Sequence, residues 1–300
     1  MNQTRPEYET IYAMNPSTLV HGIRSMKRLK RVIDNRGIIE ETDPMRLGTG
    51  IHALTLEPAE FQRQFVVVPD FHLDPENTSG TGKNIKPSES KATKYVKQKV
   101  AEFATANAGK KFLSGAQYQS ALNAIKAIHE RPHLKAMIDR CQKEITLRGE
   151  ILGLPMKGRV DLLDIQGGEI IDLKTTADCE AYAFGRTFAN LNIAFKMAIY
   201  RELAQQQYKR TFVCSIIAQE TMGDFDNTYY PIPDIALDNA LKQVKEVIHQ
   251  YQGCLESNVW PGVDGGALMS NLVIPNWAMR DDDGLDFSGV EMEETETSYF

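Results

Sequence analysis

Between residues 144 and 176 the polar and apolar residues of this chain largely alternate, and no other feature restricts its fold so strongly. Three runs carry the pattern: "EITLRGEI" at 144–151, "PMKGRVDLLDI" at 155–165 and "GEIIDLKTT" at 168–176. A period of two belongs to strands, whose side chains point to opposite faces in turn. The separators "LGLP" and "QGG" are turn chemistry. The region is therefore predicted to be a meander of antiparallel hairpins.

Helical signals surround the meander. "NPSTLVHGIRSMKRLKRVID" begins with Asn15 as a cap and Pro16 at the first helical position. "DPMRLGTGIHALTLEP" repeats the device with Asp43 and Pro44, and Pro58 closes it. Further helices are predicted at about 88–107 and 114–130, capped by Ser88 and Ser114, at about 178–207 from Asp178, and at about 234–257. "FVVV", "TFVCSIIAQ" and "NTYYPI" are strand candidates, and the Pro-, Gly- and Ser-rich stretch 69–90 is predicted to be an exposed, mobile loop. This order defines an α/β domain with one central mixed sheet.

A chain of 300 residues, 42% hydrophobic and 25% charged, can bury a full core, and one large domain is expected. No run approaches the ~18 apolar residues of a membrane span. The start lacks the pattern of a signal peptide, so a cytoplasmic protein without membrane contact is expected. Cys141, Cys179, Cys214 and Cys254 are scattered, which argues against an iron–sulfur cluster, a zinc cluster or a disulfide framework. Eight of the 40 acids fall after Arg280, in a tail expected to be disordered, leaving 32 acids against 34 basic residues in the body. Two basic runs, "IRSMKRLKRVIDNR" and "KNIKPSESKATKYVKQK", have the charge to follow a phosphate backbone; each taken alone reads as a solvated helix face.

The meander also carries acids. Ile170, Asp172 and Lys174 share one face of their strand; Arg159, Asp161 and Leu163 share one face of theirs, with Val160 and Leu162 opposite. Glu144, Thr146, Arg148 and Glu150 alternate with Ile145 and Leu147. Three adjacent strands thus offer acids to one side of the sheet. Such acids repel unless a cation sits among them, and hard oxygen ligands suit Mg²⁺. Lys174, beside Asp172, is placed to orient a water bound to that ion or to help deprotonate it. These are the parts a phosphodiester hydrolase needs.

"GRVDLLDI" followed by "GGEIIDLKTT" resembles the core motif of the PD-(D/E)XK nucleases, and within them the exodeoxyribonuclease VIII (RecE-type) branch, related to RecB-like nuclease domains. "RLGTGIHALTLEPAEF" resembles the branch's early helix, which makes His52 a metal ligand; "KEITL" places Glu144 at an additional acid; "AFKMAIYRELA" places Tyr200 at the family's tyrosine; "SNVWPGV" resembles its closing segment. Lys196 stands where the family has glutamine.

The resemblance implies a restriction-endonuclease-like fold spanning residues 1–280, with a helical part at about 1–140, a catalytic core at about 141–262 and the acidic tail at 281–300. It implies catalysis by Asp161, Asp172 and Lys174. Mg²⁺, with Mn²⁺ substituting, would be held by Asp161, Asp172 and the Leu173 carbonyl, helped by His52 and Glu144. Arg28, Arg31, Arg159, Lys196 and Tyr200 are the expected DNA contacts. The implied activity is a 5′-to-3′ exonuclease on ends of double-stranded DNA, leaving 3′ single strands for phage-type recombination. Its implied partners are a single-strand annealing protein and further copies of itself in a ring. An endonuclease or structure-specific nuclease on the same fold, and a non-catalytic DNA-binding protein, are the alternatives.

Overall fold

The computed structural model describes residues 5–35, 41–69, 71, 74–79, 86–88, 94–267 and 272–274. The acidic tail at 281–300 lies outside the described residues, as do parts of both basic runs. The chain forms two compact units, Met1–Trp260 and Pro261–Phe300. All named elements belong to the first; among its described residues the second holds a turn at 263–266.

Eleven helices and nine strands are found among the described residues. In chain order they are α1 (Arg5–Glu9), α2 (Pro16–Leu19), α3 (Met26–Asp34), α4 (Asp43–Leu56), α5 (Pro58–Gln64), β1 (Phe65–Val67), β2 (Asp74–Ser79), β3 (Lys86–Ser88), α6 (Lys94–Ala106), β4 (Lys111–Leu113), α7 (Gly115–His129) and α8 (Pro132–Arg140). There follow β5 (Gln142–Ile151), β6 (Leu154–Asp164), β7 (Glu169–Thr176), α9 (Ala181–Asn190), α10 (Ile193–Tyr208), β8 (Val213–Glu220), β9 (Asn227–Pro231) and α11 (Asp234–Ser257).

The central sheet runs β5-β6-β7-β8-β9. The meander is antiparallel as expected, whereas β7 and β8 pair in parallel across the α9–α10 crossover, which makes the sheet mixed. One face packs Ile145, Leu147, Val160, Ile170 and Ile216 against α10 and α11 through Phe195, Ile199, Leu203, Val244 and Ile248. The other packs Leu162, Ile171, Leu173 and Ile217 against Leu56 of α4, Ile128 of α7 and Leu134 and Ile138 of α8. This is a three-layer arrangement, with the sheet as the buried middle.

Several local expectations are corrected. Asn15 does cap α2, its Oδ1 accepting the Thr18 N–H at 2.8 Å, but the predicted long helix breaks. Val20–Ile23 is a 3₁₀ turn, and Ser25 opens α3 by capping Arg28. The cap of α4 is Thr42 rather than Asp43, and Pro58 opens α5 rather than ending α4. Ser88 lies in β3, which pairs with β2 inside the predicted loop, and α6 starts at Lys94. The helices predicted over 178–207 are α9 and α10, and Asn192, with a left-handed φ of 50°, turns the chain between them. The Glu180 carboxylate, not Asp178, caps α9. The Ser114–Gln117 capping box of α7 is present.

Strand alternation is also corrected. Val160 and Leu163 lie in one core and Leu162 in the other, so Arg159, Asp161 and Leu163 do not form one simple face. Across from this irregularity, on β5, lies Glu144, a non-glycine residue with φ of 53°. Register is kept on both sides of it, Lys143↔Leu162 and Ile145↔Val160, yet the pair between them is not bridged. A left-handed residue of this kind costs about 1–3 kcal/mol and persists only where its surroundings enforce it.

The N-terminal segment completes the sheet. Met14 bridges Met156, with the Met14 N–H donating to Pro155 O at 2.9 Å and the Lys157 N–H donating to Met14 O at 2.8 Å. The buried Lys157 ammonium donates to Tyr8 O and Ile11 O, both at 2.9 Å, and lies 4.6 Å from the Tyr8 ring centre. Replacing Lys157→Met is expected to destabilise the docking of residues 8–14 by about 2–3 kcal/mol, because bonds from a charged donor are lost. Amide hydrogen exchange should then quicken at residues 8–14 and stay slow in β7 and β8. Unchanged exchange at 8–14 would show that another contact holds the segment.

Candidate functional site

The site is built where two strands part. The β6–β7 ladder runs from Asp164↔Glu169 to Leu162↔Ile171 and stops. At the next position the Asp161 carboxylate takes over, its Oδ2 accepting the Leu173 N–H at 2.8 Å. A side chain thus stands in for a backbone rung, and the carboxylate is fixed in the gap. Above it lies a cleft of about 720 Å³, lined among others by His52, Glu144, Arg159, Asp161, Lys174 and Tyr200.

Helix α4 delivers His52. Its Nδ1 lies 3.5 Å from Asp161 Oδ2. One turn earlier on the same face is Gly48, where a Cβ would come within 2.8 Å of Thr175 Oγ1. The glycine therefore lets α4 approach the end of β7. Glu144 enters from β5, opposite Asp161. Potential ligand atoms of His52, Glu144 and Asp161 all lie within 4.8 Å of one another. Two carboxylates and an imidazole, half-buried together, form a donor set that fits a divalent cation, since the negative charges need a positive partner.

Asp172 stands apart from this trio. It is 6% exposed and ion-paired with Lys174. Burial pushes its carboxyl up, the Lys174 ammonium opposes this, and the Asp161 charge adds to the push. Burial also works against the Lys174 charge, but Asp172, Asp161 and Glu144 outweigh it and raise the amine's pKa. Lys174 is thus held as an ammonium, suited to orienting a water or an anion rather than to removing a proton. Lys174 lines the cleft, while the Leu173 side chain is fully buried in the opposite core.

Helix α10 places Lys196 and Tyr200 one turn apart. The Tyr200 ring lies on Gly158 of β6, where a Cβ would sit 2.8 Å from Cδ1 and Cε1. Burial, and then the Asp172 charge, raise the Tyr200 hydroxyl well above its usual range. Lys196 is pulled down by burial and by Lys174, with Asp172 opposing, so it adjoins the same pair although it does not line the cleft. Arg28 and Arg31 do not line it either. Arg28 donates from Nε to His21 Nδ1 at 3.3 Å. The His21 pKa is lowered by burial first and then by Arg28, Lys196 and Arg31, which places these basic groups around one imidazole.

Arg159 reaches the cleft wall as a half-buried bridge. Its Nε lies 2.6 Å from Glu144 Oε2 and its Nη2 3.0 Å from Glu57 Oε2. Tyr8, Glu9, Glu57, Glu60 and Thr175 also line the cleft. Sequence reasoning missed them. Tyr8 and Glu9 arrive through tertiary docking that leaves no local pattern, whereas Glu57 was signalled by its place just after the His52 helix.

The four cysteines are free and buried in separate places, and burial lifts the Cys141 thiol to about 11. No described helix is long and apolar enough to cross a membrane.

A family model described as "PDDEXK-like domain of unknown function (DUF3799)" matches residues 23–269. Among solved structures, the chain is similar to a candidate exonuclease from Eubacterium rectale, with 14% identity over 91% of this chain and 97% of that one and a TM-score of 0.61. At that identity the likeness shows the fold, a mixed sheet between helices as in PD-(D/E)XK nucleases. A phage-related exonuclease from Haemophilus somnus 129PT matches at 14% identity over 56% of this chain and 85% of its own, with a TM-score of 0.32. An alkaline exonuclease from Laribacter hongkongensis matches at 12% identity over 56% and 84%, with a TM-score of 0.27. No curated protein matches the chain.

The approach of α4 to Thr175 can be tested directly. Gly48→Ala is expected to move α4 outward, lowering stability by about 1–3 kcal/mol and weakening Mn²⁺ binding in calorimetry. The double variant Gly48→Ala/Thr175→Ala, which removes the clashing hydroxyl, should recover most of both losses. No recovery would show that His52 is placed by other contacts.

Proposed function

This chain belongs to the PDDEXK-like domain family DUF3799, and from that premise we propose that it is a metal-dependent deoxyribonuclease. The observation that carries the reading is the gathering of His52, Glu144 and Asp161 at the strand gap, with the Lys174 ammonium beside them.

In this reading His52, Glu144 and Asp161 hold a divalent ion, Mg²⁺ or in its place Mn²⁺, with Asp172 and the Leu173 carbonyl contributing. When bound, the ion lowers the pKa of a coordinated water and stabilises charge on the phosphate. The chain's own residues do the rest. Lys174 aims the attacking water and neutralises a phosphate oxygen, and Asp172 keeps the ammonium in place. Tyr200 and Lys196 meet the sugar–phosphate backbone at the rim. Arg28 and Arg31 extend the positive surface beyond His21.

For the substrate we propose ends of linear double-stranded DNA, degraded 5′ to 3′ so that 3′ single strands remain. This follows the RecE-type resemblance; the Eubacterium rectale protein that shares the fold carries the description of an exonuclease. The 3′ strand would pass to a single-strand annealing protein in phage-type recombination in the cytoplasm. Assembly into a ring around DNA belongs to the same proposal.

The test is digestion of linear duplexes labelled at either end, beside covalently closed circles. With Mg²⁺ the 5′ label should be released first, circles should survive, and a chelator should stop the reaction. Lys174→Ala should slow cleavage by about 10²–10³-fold, and Asp161→Asn should remove it. Cutting of circles would mark an endonuclease. Tight binding of duplex with no cleavage under any divalent ion would mark a binding protein.

A further inference from the structure

We infer that Arg159 is a positioning residue that aims Glu144 and the His52 helix at one point, and this rests on the metal-dependent reading above. Three elements deliver the trio: β5 brings Glu144, β6 brings Asp161 and α4 brings His52. The Arg159 side chain links β6, where it stands, to Glu144 of β5 and to Glu57, the residue that follows α4. It stands on β6, two residues before Asp161. Its Nε meets Glu144 Oε2 at 2.6 Å, and its Nη2 meets Glu57 Oε2 at 3.0 Å, directly after the end of α4. A planar guanidinium fork can hold two carboxylates in fixed directions, which a lysine cannot do.

Two further observations separate this role from an ordinary cross-strand ion pair. Glu144 is held in a left-handed backbone, which is unfavourable for a residue with a side chain unless its surroundings require it. Arg159 Nη1 is buried with no hydrogen-bond partner and Nε meets Glu144 only as an ion pair, without a hydrogen bond, an arrangement that stability alone does not favour. A hydrophobic residue in this place would be the more stable choice for a purely structural site. The guanidinium is therefore retained for direction: it turns Glu144 toward Asp161 and ties the C-terminal end of α4, the helix that carries His52, to the sheet. Groups that orient ligands in this way typically change metal affinity by about 10–100-fold when removed.

The experiment is Mn²⁺ titration of the full chain by calorimetry and electron paramagnetic resonance, with thermal unfolding in parallel. The variants are Arg159→Met, Arg159→Lys, Glu57→Gln, Glu144→Gln and the double variant Arg159→Met/Glu144→Gln. Arg159→Met is expected to weaken Mn²⁺ binding by about 10-fold or more, and Arg159→Lys to recover part of the loss. Glu57→Gln keeps the Glu144 pair and cuts the tie to α4, so it should give an intermediate loss. In the Glu144→Gln background, Arg159→Met should cost only about as much as Glu57→Gln costs alone, since the share that acts through Glu144 is already lost.

Wild-type affinity in Arg159→Met and in Glu57→Gln, or losses that simply add in the double variant, would overturn the inference while leaving the nuclease reading intact. If Arg159→Met does not fold, Arg159→Lys and Glu57→Gln decide the matter by the same readout. Failure of the wild-type chain to bind Mn²⁺ at all would overturn both.

Discussion

One hydrogen bond organises the centre of this molecule. Where β6 and β7 separate, the Leu173 N–H would be a buried donor without a partner, and the Asp161 carboxylate accepts it at 2.8 Å. An unsatisfied buried donor costs about 1–3 kcal/mol, so the strands can part at this level only because a side chain takes the rung's place. The same bond fixes Asp161 where His52 and Glu144 can reach it. Sheet architecture and site geometry are therefore one problem here, solved by one carboxylate. A wider opening would leave backbone groups exposed to the core; a continuous ladder would leave no room for the cleft.

The electrostatics follow from that opening. Glu9, Glu57, Glu60, Glu144 and Asp161 line the cleft, against Arg159 and Lys174 as its basic members. Such a surface repels a phosphate until a cation joins it. Lys174 is held charged by the acids around it, while Asp172, behind it, stays buried and paired. The positive groups near Lys196 and His21 lie beside the cleft rather than within it. Positive charge is thus kept to a few aimed groups, and the acids outnumber them.

Much of this was legible in the sequence. Alternation over 144–176 gave the three strands and their antiparallel order, and Asp161, Asp172 and Lys174 pointed to acids gathered on one side of adjacent strands. His52 was legible through the family motif, since a lone histidine on a helix carries no geometric signal. What the pattern hid was nonlocal. A strict period of two assumes a regular strand, and alternation fails in β6 opposite the left-handed Glu144, although the register of the two strands is kept. Alternation put Asp172 with the other acids but could not show that it is buried and paired with Lys174. The role of Arg159 depends on Glu57, 102 residues away in the chain, and no local window contains both.

The attachment of the N-terminal segment has a separate consequence. Residues 8–14 form part of the cleft rim, yet they are joined to the sheet through one short bridge at Met14 and the Lys157 ammonium. Their side chains can change without disturbing any rung of the five-stranded sheet. What the entrance admits can therefore be altered by exchanging a single docked stretch of chain, with the five-stranded sheet behind it left in place.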